Sequence, residues 1–405
     1  MKCRHCYQTL EHVFLDLGFA PPSNAYLSKE DLKKPEQVFP LKLFVCNHCW
    51  LVQTQDFSRA DELFSADYAY FSSVSKTWID HAKKYCNMIA KRLGLNKDSF
   101  VIEVASNDGY LLKNFVAENI PCLGIEPTKS TAETARALGI NVKEEFFGED
   151  MAKKLRKSDL IIGNNVYAHV PDINDFTKGL KAALKNTGTI TLEFPHLLEL
   201  IAHNQFDTVY HEHFSYLSLY TVSKIFAETD LRVLDVEILP THGGSLRVYG
   251  CHDNDKRLTA KAVHDMLQRE EKAGLRRLET YLSFQKKADR VKNNFIDFLR
   301  DQKNMGYKVA GYGAAAKGNT LLNYAGITGD LLPYICDAAP SKQGKFLPGS
   351  HIPVLPPSAI AEHKPDVIII FPWNIADEIR EQLAFAREWN AHFVTAVPEL
   401  RKEAA

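Results

Sequence analysis

Short apolar runs alternate with stretches of helical periodicity through the central part of the chain. The strand-like runs cover 101–104, 121–126, 160–163 and 189–194. Before the first of them, apolar residues recur at helical spacing from Lys76 to Leu93, which predicts an amphipathic helix. Strands that alternate with helices are typical of a doubly wound parallel sheet, so the pattern predicts an α/β fold.

A polar helical stretch separates this region from a second α/β pattern. Residues 256–304 are charged and contain almost no glycine or proline, which predicts long helices between two lobes. A dimeric coiled coil is the alternative, although no heptad pattern is sustained. A chain of 405 residues is too long for one core. We expect a cysteine-containing module at 1–60, an α/β domain at 61–250, a helical bridge at 251–305 and a Rossmann-like domain at 306–405.

Each lobe contains a turn of small residues between a strand and a helix. The first turn runs from Ala105 to Gly109, and the second reads Gly311-Tyr-Gly313-Ala-Ala-Ala316. Such turns bring backbone N–H groups to a ligand, although the first alone is equally compatible with any α/β unit. The second has the spacing of a dinucleotide site, with Asp337 after the next strand, so NAD is one candidate ligand. The cation of Lys317 suits any diphosphate.

Polar residues lie where the central strands are predicted to end. Glu103 lies inside the first strand, and Asn107 and Asp108 belong to the turn after it. Glu126 ends the second strand, where a carboxylate can accept hydrogen bonds from ribose hydroxyls. Asn164 and Asn165 follow the third strand. Because parallel strands end at one edge of a sheet, these residues predict one ligand site.

Two imidazoles, a carboxylate and a phenol occupy the four consecutive positions Tyr210-His-Glu-His213. Zinc proteases need histidines four residues apart on one helical face, and here the histidines are two apart. Histidine titrates near neutral pH and suits the role of a general base. A purely structural role is the alternative, and His169 alone would be typical of a histidine bonded to the backbone.

Several further candidates for substrate contact lie outside these clusters. Ser245 and Arg247 follow a Gly-Gly turn, for which a hairpin with a surface arginine is the alternative. Trp373 follows a strand, where an indole can stack on a base or belong to the core. Tyr68 and Tyr70 precede the first helix, as half-buried side chains or as phenol donors on a lid.

Cysteine spacing and overall composition add a metal site and exclude some partners. Cys3 and Cys6 form one Cys-x-x-Cys pair, and Cys46 and Cys49 form another. Four thiolates satisfy the tetrahedral preference of Zn²⁺, and no βαβ pattern supports a thioredoxin-like redox pair. The net charge of −1, with no basic run, argues against nucleic-acid or membrane-surface binding. Without a signal peptide or a membrane-spanning stretch, we expect a cytoplasmic protein.

The combination of motifs resembles a known family. Glu103-Val-Ala-Ser-Asn-Asp-Gly109, Glu126-Pro127 and Asn164-Asn-Val-Tyr-Ala-His169 look like the S-adenosylmethionine motifs of class I methyltransferases, although Ala105 and Asn107 stand where glycines are frequent. With the cysteine module and the second glycine turn, the chain is similar to sugar C-methyltransferases that act on nucleotide-linked 4-ketohexoses. In that family a four-cysteine zinc module precedes the methyltransferase domain, and a second α/β domain follows it.

The resemblance implies the reaction and its partners. A methyl group would pass from S-adenosylmethionine to a carbon beside the ketone, C-3 by expectation, with His213 as the base and Glu212, Tyr210 and His169 around the sugar. The second lobe would bind the nucleotide diphosphate through Gly311, Gly313, Ala316, Lys317, Asn319, Asp337, Lys342 and Trp373. The protein would act as a monomer or homodimer. An NAD-dependent sugar-nucleotide oxidoreductase and a non-catalytic sugar-nucleotide-binding or zinc-scaffold protein remain alternatives.

Overall fold

A computed structural model describes residues 1–55, 72–74 and 76–404. Tyr68 and Tyr70 lie outside these residues. Within the described ranges the chain forms three sheets. No helix in these ranges is long and apolar enough to cross a membrane.

The smallest sheet belongs mainly to the N-terminal module. Its strands are β1 (His12–Ala20), β2 (Phe39–Val45) and β3 (Val52–Thr54), and they pair in antiparallel order. Alternate residues of β2 are buried, as expected for a strand with one face on a core. The fourth strand, β9 (Ser215–Tyr216), comes from the central part of the chain and pairs antiparallel with β3.

The central sheet confirms the predicted doubly wound α/β fold. Its strands are β4 (Val101–Val104), β5 (Cys122–Ile125), β6 (Asn141–Lys143), β7 (Ser158–Asn164), β8 (Leu184–Pro195), β10 (Leu231–Leu239) and β11 (Ser245–His252). Their spatial order is β10-β11-β8-β7-β4-β5-β6. The five strands from β8 to β6 are parallel, and β11 runs antiparallel between β8 and β10. The strand order reverses at β4, so the switch point of the sheet lies beside the first glycine turn.

Helices cover both faces of this sheet. They are α1 (Lys76–Leu93), α2 (Leu112–Ala117), α3 (Lys129–Ala137), α4 (Glu149–Ala152), α5 (Ile173–Ala183), α6 (Leu197–Ala202) and α7 (Leu219–Ala227). The first has the bounds that its periodicity predicts, and Ala82, Tyr85 and Ile89 on one of its faces are buried. Asp172 accepts hydrogen bonds from the first free N–H groups of α5, which explains why that helix starts there.

Three helices lead to the C-terminal sheet: α8 (Lys261–Lys272), α9 (Leu278–Leu282) and α10 (Phe284–Asn304). The remaining elements are β12 (Val309–Tyr312), α11 (Ala316–Ala325), β13 (Ile335–Cys336), β14 (Val354–Leu355), α12 (Ser358–His363), β15 (Val367–Ile370), α13 (Ala376–Gln382), β16 (His392–Thr395) and β17 (Arg401–Ala404). The sheet order is β14-β13-β12-β15-β16-β17, with every pair parallel except the last. This is the expected Rossmann-like second domain.

The N-terminal module shares its apolar core with both lobes. Phe14 and Leu43 of its sheet belong to one buried cluster with Phe295 of α10 and Val309 of β12. The cysteine knuckles belong to another cluster, which contains Ile173 of α5 and the interior of the central sheet. Burial of apolar area is the main source of stability, so the module is held between the lobes rather than attached to one of them.

The second glycine turn offers a test of this packing. Gly313 has φ 86°, and a Cβ there would lie 2.3 Å from Cδ of Pro372. Gly326 also has positive φ, at 63°, but faces open space. Both alanine variants carry the cost of a left-handed backbone, about 1–2 kcal/mol, whereas only Gly313→Ala adds overpacking of roughly 1–3 kcal/mol. Calorimetric unfolding should therefore show a larger loss for Gly313→Ala, and equal losses would contradict the close approach.

Candidate active site and metal centre

The first glycine turn follows the predicted path although two of its glycines are replaced. Ala105, Asn107 and Gly109 have φ of 56°, 49° and 79°. Positive φ is the region that glycine enters without steric cost and that asparagine tolerates. Gly109 also needs its missing side chain, because a Cβ there would lie 2.4 Å from Cδ1 of Ile140. The turn therefore keeps its shape without the usual glycines.

Three buried carboxyl groups converge on this turn. Glu103, Asp108 and Glu126 are each at most 5% exposed. Glu126 accepts hydrogen bonds from the backbone N–H of Asn107 and of Thr128, both at 2.9 Å. Burial, together with the negative charges of Glu126 and Asp108, raises the pKa of Glu103 well above its ordinary value. Among the described residues, Oε2 of Glu103 has no hydrogen-bond partner. The arrangement suits a ligand with a cationic donor.

Asn107 and Asp108 also bind the turn at 72–74. Their side-chain oxygens accept hydrogen bonds from the backbone N–H groups of Ser72 and Ser73, both at 3.0 Å. The turn of 72–74 is thereby fixed against the edge of the central sheet, just before α1.

The two asparagines after β7 lie on the same edge, as predicted. Asn165 has φ 53°, and its Nδ2 lies 3.3 Å from Nε2 of His242. Within the described part of the chain, the side-chain oxygens of Asn164 and Asn165 are buried without a partner. The ring of His242 is 5.2 Å from that of Trp78. This rim therefore presents acceptors beside an aromatic wall.

The predicted histidine cluster is brought together around His213. Its ring centroid lies 4.3 Å from that of Tyr210, 4.6 Å from that of His169 and 5.9 Å from that of Tyr216. Nδ1 of His169 is 2.9 Å from the carbonyl oxygen of Glu212. Because a carbonyl only accepts, this nitrogen carries the proton and Nε2 is left as an acceptor.

The environment keeps these imidazoles neutral. Burial lowers the pKa of His213 well below its ordinary value, and His169, His242 and Lys317 add to the effect. Burial also lowers the pKa of His169 to about 4. A neutral imidazole has a lone pair available, so His213 is able to accept a proton at neutral pH.

The second glycine turn meets residues from two other parts of the chain. The carbonyl oxygen of Ala314 accepts hydrogen bonds from the Tyr26 hydroxyl at 2.5 Å and from Nζ of Lys342 at 2.7 Å. Lys342 also lies 3.5 Å from Oδ2 of Asp337, whose Oδ1 accepts from the N–H of Ala339. Gly311 is buried in β12, and Ala316 begins α11. The turn, its acid and its lysine are thus together, as the spacing predicts.

Lys317 and Trp373 lie where the C-terminal lobe meets the central one. Nζ of Lys317 is 4.3 Å from the centre of the Trp373 ring and 2.5 Å from Oδ1 of Asn374. The indole N–H of Trp373 donates to Asp207 at 2.7 Å, and the ring packs on Gly243. Burial raises the pKa of Asp207 to about 6 and lowers that of Lys317 to about 8. Stacking of Trp373 on a base stays a prediction.

Ser245 and Arg247 are both buried in β11. The Ser245 hydroxyl donates to the carbonyl oxygen of Thr241 at 2.9 Å. Arg247 forms ion pairs with Glu193 at 3.0 Å and with Glu237 at 3.1 Å. The alternative of a surface arginine is therefore wrong, and a substrate contact for either residue stays a prediction.

The four predicted cysteines form a compact cluster. Their sulfur atoms all lie within 4.8 Å of one another, with Cys3–Cys49 and Cys6–Cys46 at 3.5 Å. Zinc bonds of about 2.3 Å in a tetrahedron need sulfur separations of about 3.8 Å, which these positions fit. No other group of three metal-ligating side chains occurs in the residues that the structure describes.

The two knuckles share one backbone design and exclude the neighbouring histidines. The N–H of Tyr7 donates to the carbonyl oxygen of Cys3, and that of Trp50 to Cys46. Nδ1 of His5 is 2.9 Å from Oδ1 of Asn174, and the His48 side chain is exposed. Neither histidine belongs to the cluster, so all four ligands are thiolates.

Comparisons with known proteins decide the family. Three family models match successive parts of the chain: "Putative zinc binding domain" at 3–64, "Methyltransferase domain" at 78–236 and "C-methyltransferase C-terminal domain" at 240–398. The C-methyltransferase NovU of Streptomyces niveus is 33% identical over 404 residues, which cover 99% of this chain and 96% of that protein.

The chain belongs to the C-methyltransferase family.

Solved methyltransferase structures resemble only part of this C-methyltransferase. The 1,6-didemethyltoxoflavin-N1-methyltransferase of Burkholderia thailandensis is 13% identical, with a TM-score of 0.38, and the match covers 50% of this chain and 96% of that one. The magnesium protoporphyrin IX methyltransferase of Synechocystis PCC 6803 is 11% identical, with a TM-score of 0.34, and covers 44% and 81%.

The residues present fit the cofactors of a C-methyltransferase that depends on S-adenosylmethionine and contains a zinc-binding module. The unpartnered Oε2 of Glu103 lies beside two further acids at the switch point, so it can bond a ligand group, and a bound cation would favour the ionised form of this carboxyl group. Glu126 stands at the strand end where ribose hydroxyls are recognised in α/β sheets. The four-thiolate cluster leaves no open position on a tetrahedral metal, which is typical of structural zinc.

Several polar residues that contact the candidate site residues were not predicted from the sequence. They are Asn24, His81, Glu193, Asp207 and His242. Of these, only His242 stands in a recognisable motif, the Thr-His-Gly-Gly turn. The others are single polar residues whose role depends on partners far away in the chain, and no local pattern reports such contacts.

The metal assignment predicts different behaviour for two cysteines. Replacing Cys49 by serine removes a zinc ligand, so the variant should lose its zinc. Its affinity for zinc should fall by more than the roughly 10–100-fold that loss of an outer-shell partner causes. Cys122→Ser alters a buried cysteine outside the cluster and should keep one zinc per chain. Elemental analysis of the two purified variants measures this. Zinc retained in Cys49→Ser at the level of the control would refute the four-cysteine site.

Proposed function

We propose that this enzyme transfers a methyl group to C-3 of a nucleotide-linked 4-keto-deoxyhexose. The observation that carries the proposal is a neutral, largely enclosed His213, packed against Tyr210 and His169, with Lys317 of the C-terminal lobe close enough to influence its pKa. The relative NovU is a C-methyltransferase, and carbon needs an acidified C–H bond before it becomes a nucleophile.

In the proposed reaction, His213 takes the proton from the carbon beside the ketone. The C–H electron pair becomes the C=C bond of an enolate. The electron pair of the carbonyl π bond moves onto the ketone oxygen, which becomes negatively charged. The hydroxyl of Tyr210 and the side chains around His169 would provide donors for that oxygen. S-adenosylmethionine, when bound, would supply the methyl group: the enolate carbon would form the new C–C bond, and the electron pair of the broken S–CH3 bond would leave with the sulfur of S-adenosylhomocysteine. Enclosure by Tyr216 and His169 keeps water from returning the proton.

The nucleotide half of the proposal rests on the second turn. The N–H groups at the start of α11 are a site for diphosphate oxygens, and Lys317 and Lys342 add positive charge beside them. Asp337 ends β13, where it would accept hydrogen bonds from the sugar of the nucleotide. We also propose that the domains end at residues 60, 250 and 305, with the cofactor and the nucleotide bound in separate domains.

Calorimetric titration separates the proposal from an NAD-dependent oxidoreductase. Binding of S-adenosylmethionine without binding of NAD supports methyl transfer, and the reverse result would overturn it. Methyl transfer is then measured with dTDP-, GDP- and CDP-linked 4-keto-6-deoxyhexoses, because the base is not specified by any contact described above. A binding protein would incorporate no methyl group with any of them.

Replacing the proposed base gives the first prediction for this reaction. His213→Asn keeps the side-chain size but removes the titrating nitrogen, and loss of a general base costs about 10²–10⁴-fold in rate. Affinity for S-adenosylmethionine should stay close to that of the wild type in calorimetry. His203→Asn alters an exposed histidine that is paired with Glu199 and should retain activity. Full activity of His213→Asn would remove His213 from the mechanism.

The pH dependence of kcat gives a second prediction. The lowered pKa of His213 means that the imidazole stays deprotonated until the pH falls through that lowered value. His169 and His242 are neutral near neutral pH because burial lowers the pKa of each to about 4, and the positive charge of Lys317 further lowers the pKa of His213. The rate should therefore be constant from pH 8 to below 6.5. An acid limb centred at 6.5 or higher would contradict this environment for the base.

A further inference from the structure

Asn24, an exposed residue of the N-terminal module, contacts the histidine segment through its side chain. Its Nδ2 lies 3.0 Å from Oε1 and 3.2 Å from Oε2 of Glu212. Glu212 is 5% exposed, so its carboxylate has lost nearly all contact with solvent. An amide N–H that donates to both oxygens of a buried carboxylate fixes the plane of that group.

Glu212 in turn controls two histidines. Its carbonyl oxygen accepts the Nδ1–H of His169, and His213 is the next residue in the chain. The N–H of His213 donates to the carbonyl oxygen of Tyr210, which closes a tight turn around Glu212. A shift of the backbone at Glu212 would therefore move both imidazoles, and anchoring of the Glu212 side chain opposes such a shift.

Residues on either side of Asn24 hold the other lobe. The carbonyl oxygen of Ser23 accepts from Nδ2 of Asn319 in α11 at 2.6 Å. The hydroxyl of Tyr26 donates to Ala314 in the second glycine turn. One four-residue stretch thus contacts the histidine segment and the proposed nucleotide turn at the same time.

From these contacts we infer that Asn24 is a positioning residue of the methyltransferase, which orients Glu212, and with it His213 and His169, relative to the nucleotide turn. The inference rests on the proposed function for its kinetic consequence, whereas the positioning itself is independent of the substrate. A displacement of about 1 Å at a reacting group is able to cost on the order of 100-fold in rate.

An NMR titration tests the positioning without any substrate. The protein is labelled with [13C]histidine at the ring carbon between the two nitrogens, and the His213 signal is assigned by its absence in His213→Asn. In Asn24→Ala, release of the segment should expose His213, so its pKa should rise toward its ordinary value. In the control Asn141→Ala, which alters an exposed residue on edge strand β6, the titration should match the wild type. An unchanged titration of His213 in Asn24→Ala would overturn the inference.

Kinetics test the consequence. Asn24→Asp keeps the volume of the side chain, removes the donor and places a second negative charge beside Glu212, so it serves as a variant that creates no cavity. Both Asn24 variants should lower kcat by 10- to 100-fold, with zinc content unchanged and the affinity for S-adenosylmethionine within about twofold of the wild type. Positioning would be refuted if both variants kept the wild-type kcat. It would also be refuted if the loss of kcat were accompanied by clear losses of Tm and of affinity for S-adenosylmethionine. Absence of methyl transfer in the wild type, with a shifted His213 titration in Asn24→Ala, would refute the proposed function and leave the positioning intact.

Discussion

The pairing of β3 with β9 is the contact on which the geometry of the site depends. Val52 pairs with Tyr216 and Gln53 with Ser215, so the histidine segment ends as a strand of the N-terminal sheet. A shift of one residue in such a pair turns every side chain to the opposite face. Since β3 starts three residues after Cys49, the second cysteine knuckle sets this register. The cysteine cluster is thereby connected, through β3, to the strand in which the histidine segment ends.

The two lobes present opposite charges to the space near the histidines. Glu103, Asp108 and Glu126 surround the first turn, whereas Lys317 and Lys342 lie beside the second. Under the proposed function, this difference in charge would favour the cationic cofactor at the first turn and the diphosphate at the second. Buried Asp207 lies at the junction of the lobes, where the indole of Trp373 supplies a neutral donor to the acid. Charge thus separates two sites that share a similar backbone.

Much of the fold and of the candidate site was predictable because it follows from local chemistry. The period of apolar residues gave α1 its bounds, and the spacing of glycines and cysteines located both turns and the metal cluster. At Ala105 and Asn107 the backbone adopts positive φ although neither residue is glycine. A motif that requires glycine at these positions therefore misses a turn of this shape. Contacts such as Asn24 with Glu212, 188 residues apart, could not be predicted, because only the packing of separate domains creates them. One alternative placed Arg247 on the surface. That alternative is wrong because Arg247 pairs with Glu193 on another strand, a contact that no local sequence pattern reports.

The shared core of the N-terminal module has a consequence for the order in which the chain folds. The backbone N–H of Asp16 donates to Gln285, a residue 269 positions later, and Phe14 stacks on Phe284 at 4.9 Å. On the ribosome, β1 is therefore made long before its packing partners emerge. Contacts of such sequence separation form slowly, and until then the apolar face of this sheet lacks its cover. The strand β1 thus reaches its final environment only after α10 has been synthesised, and its apolar face stays uncovered until then.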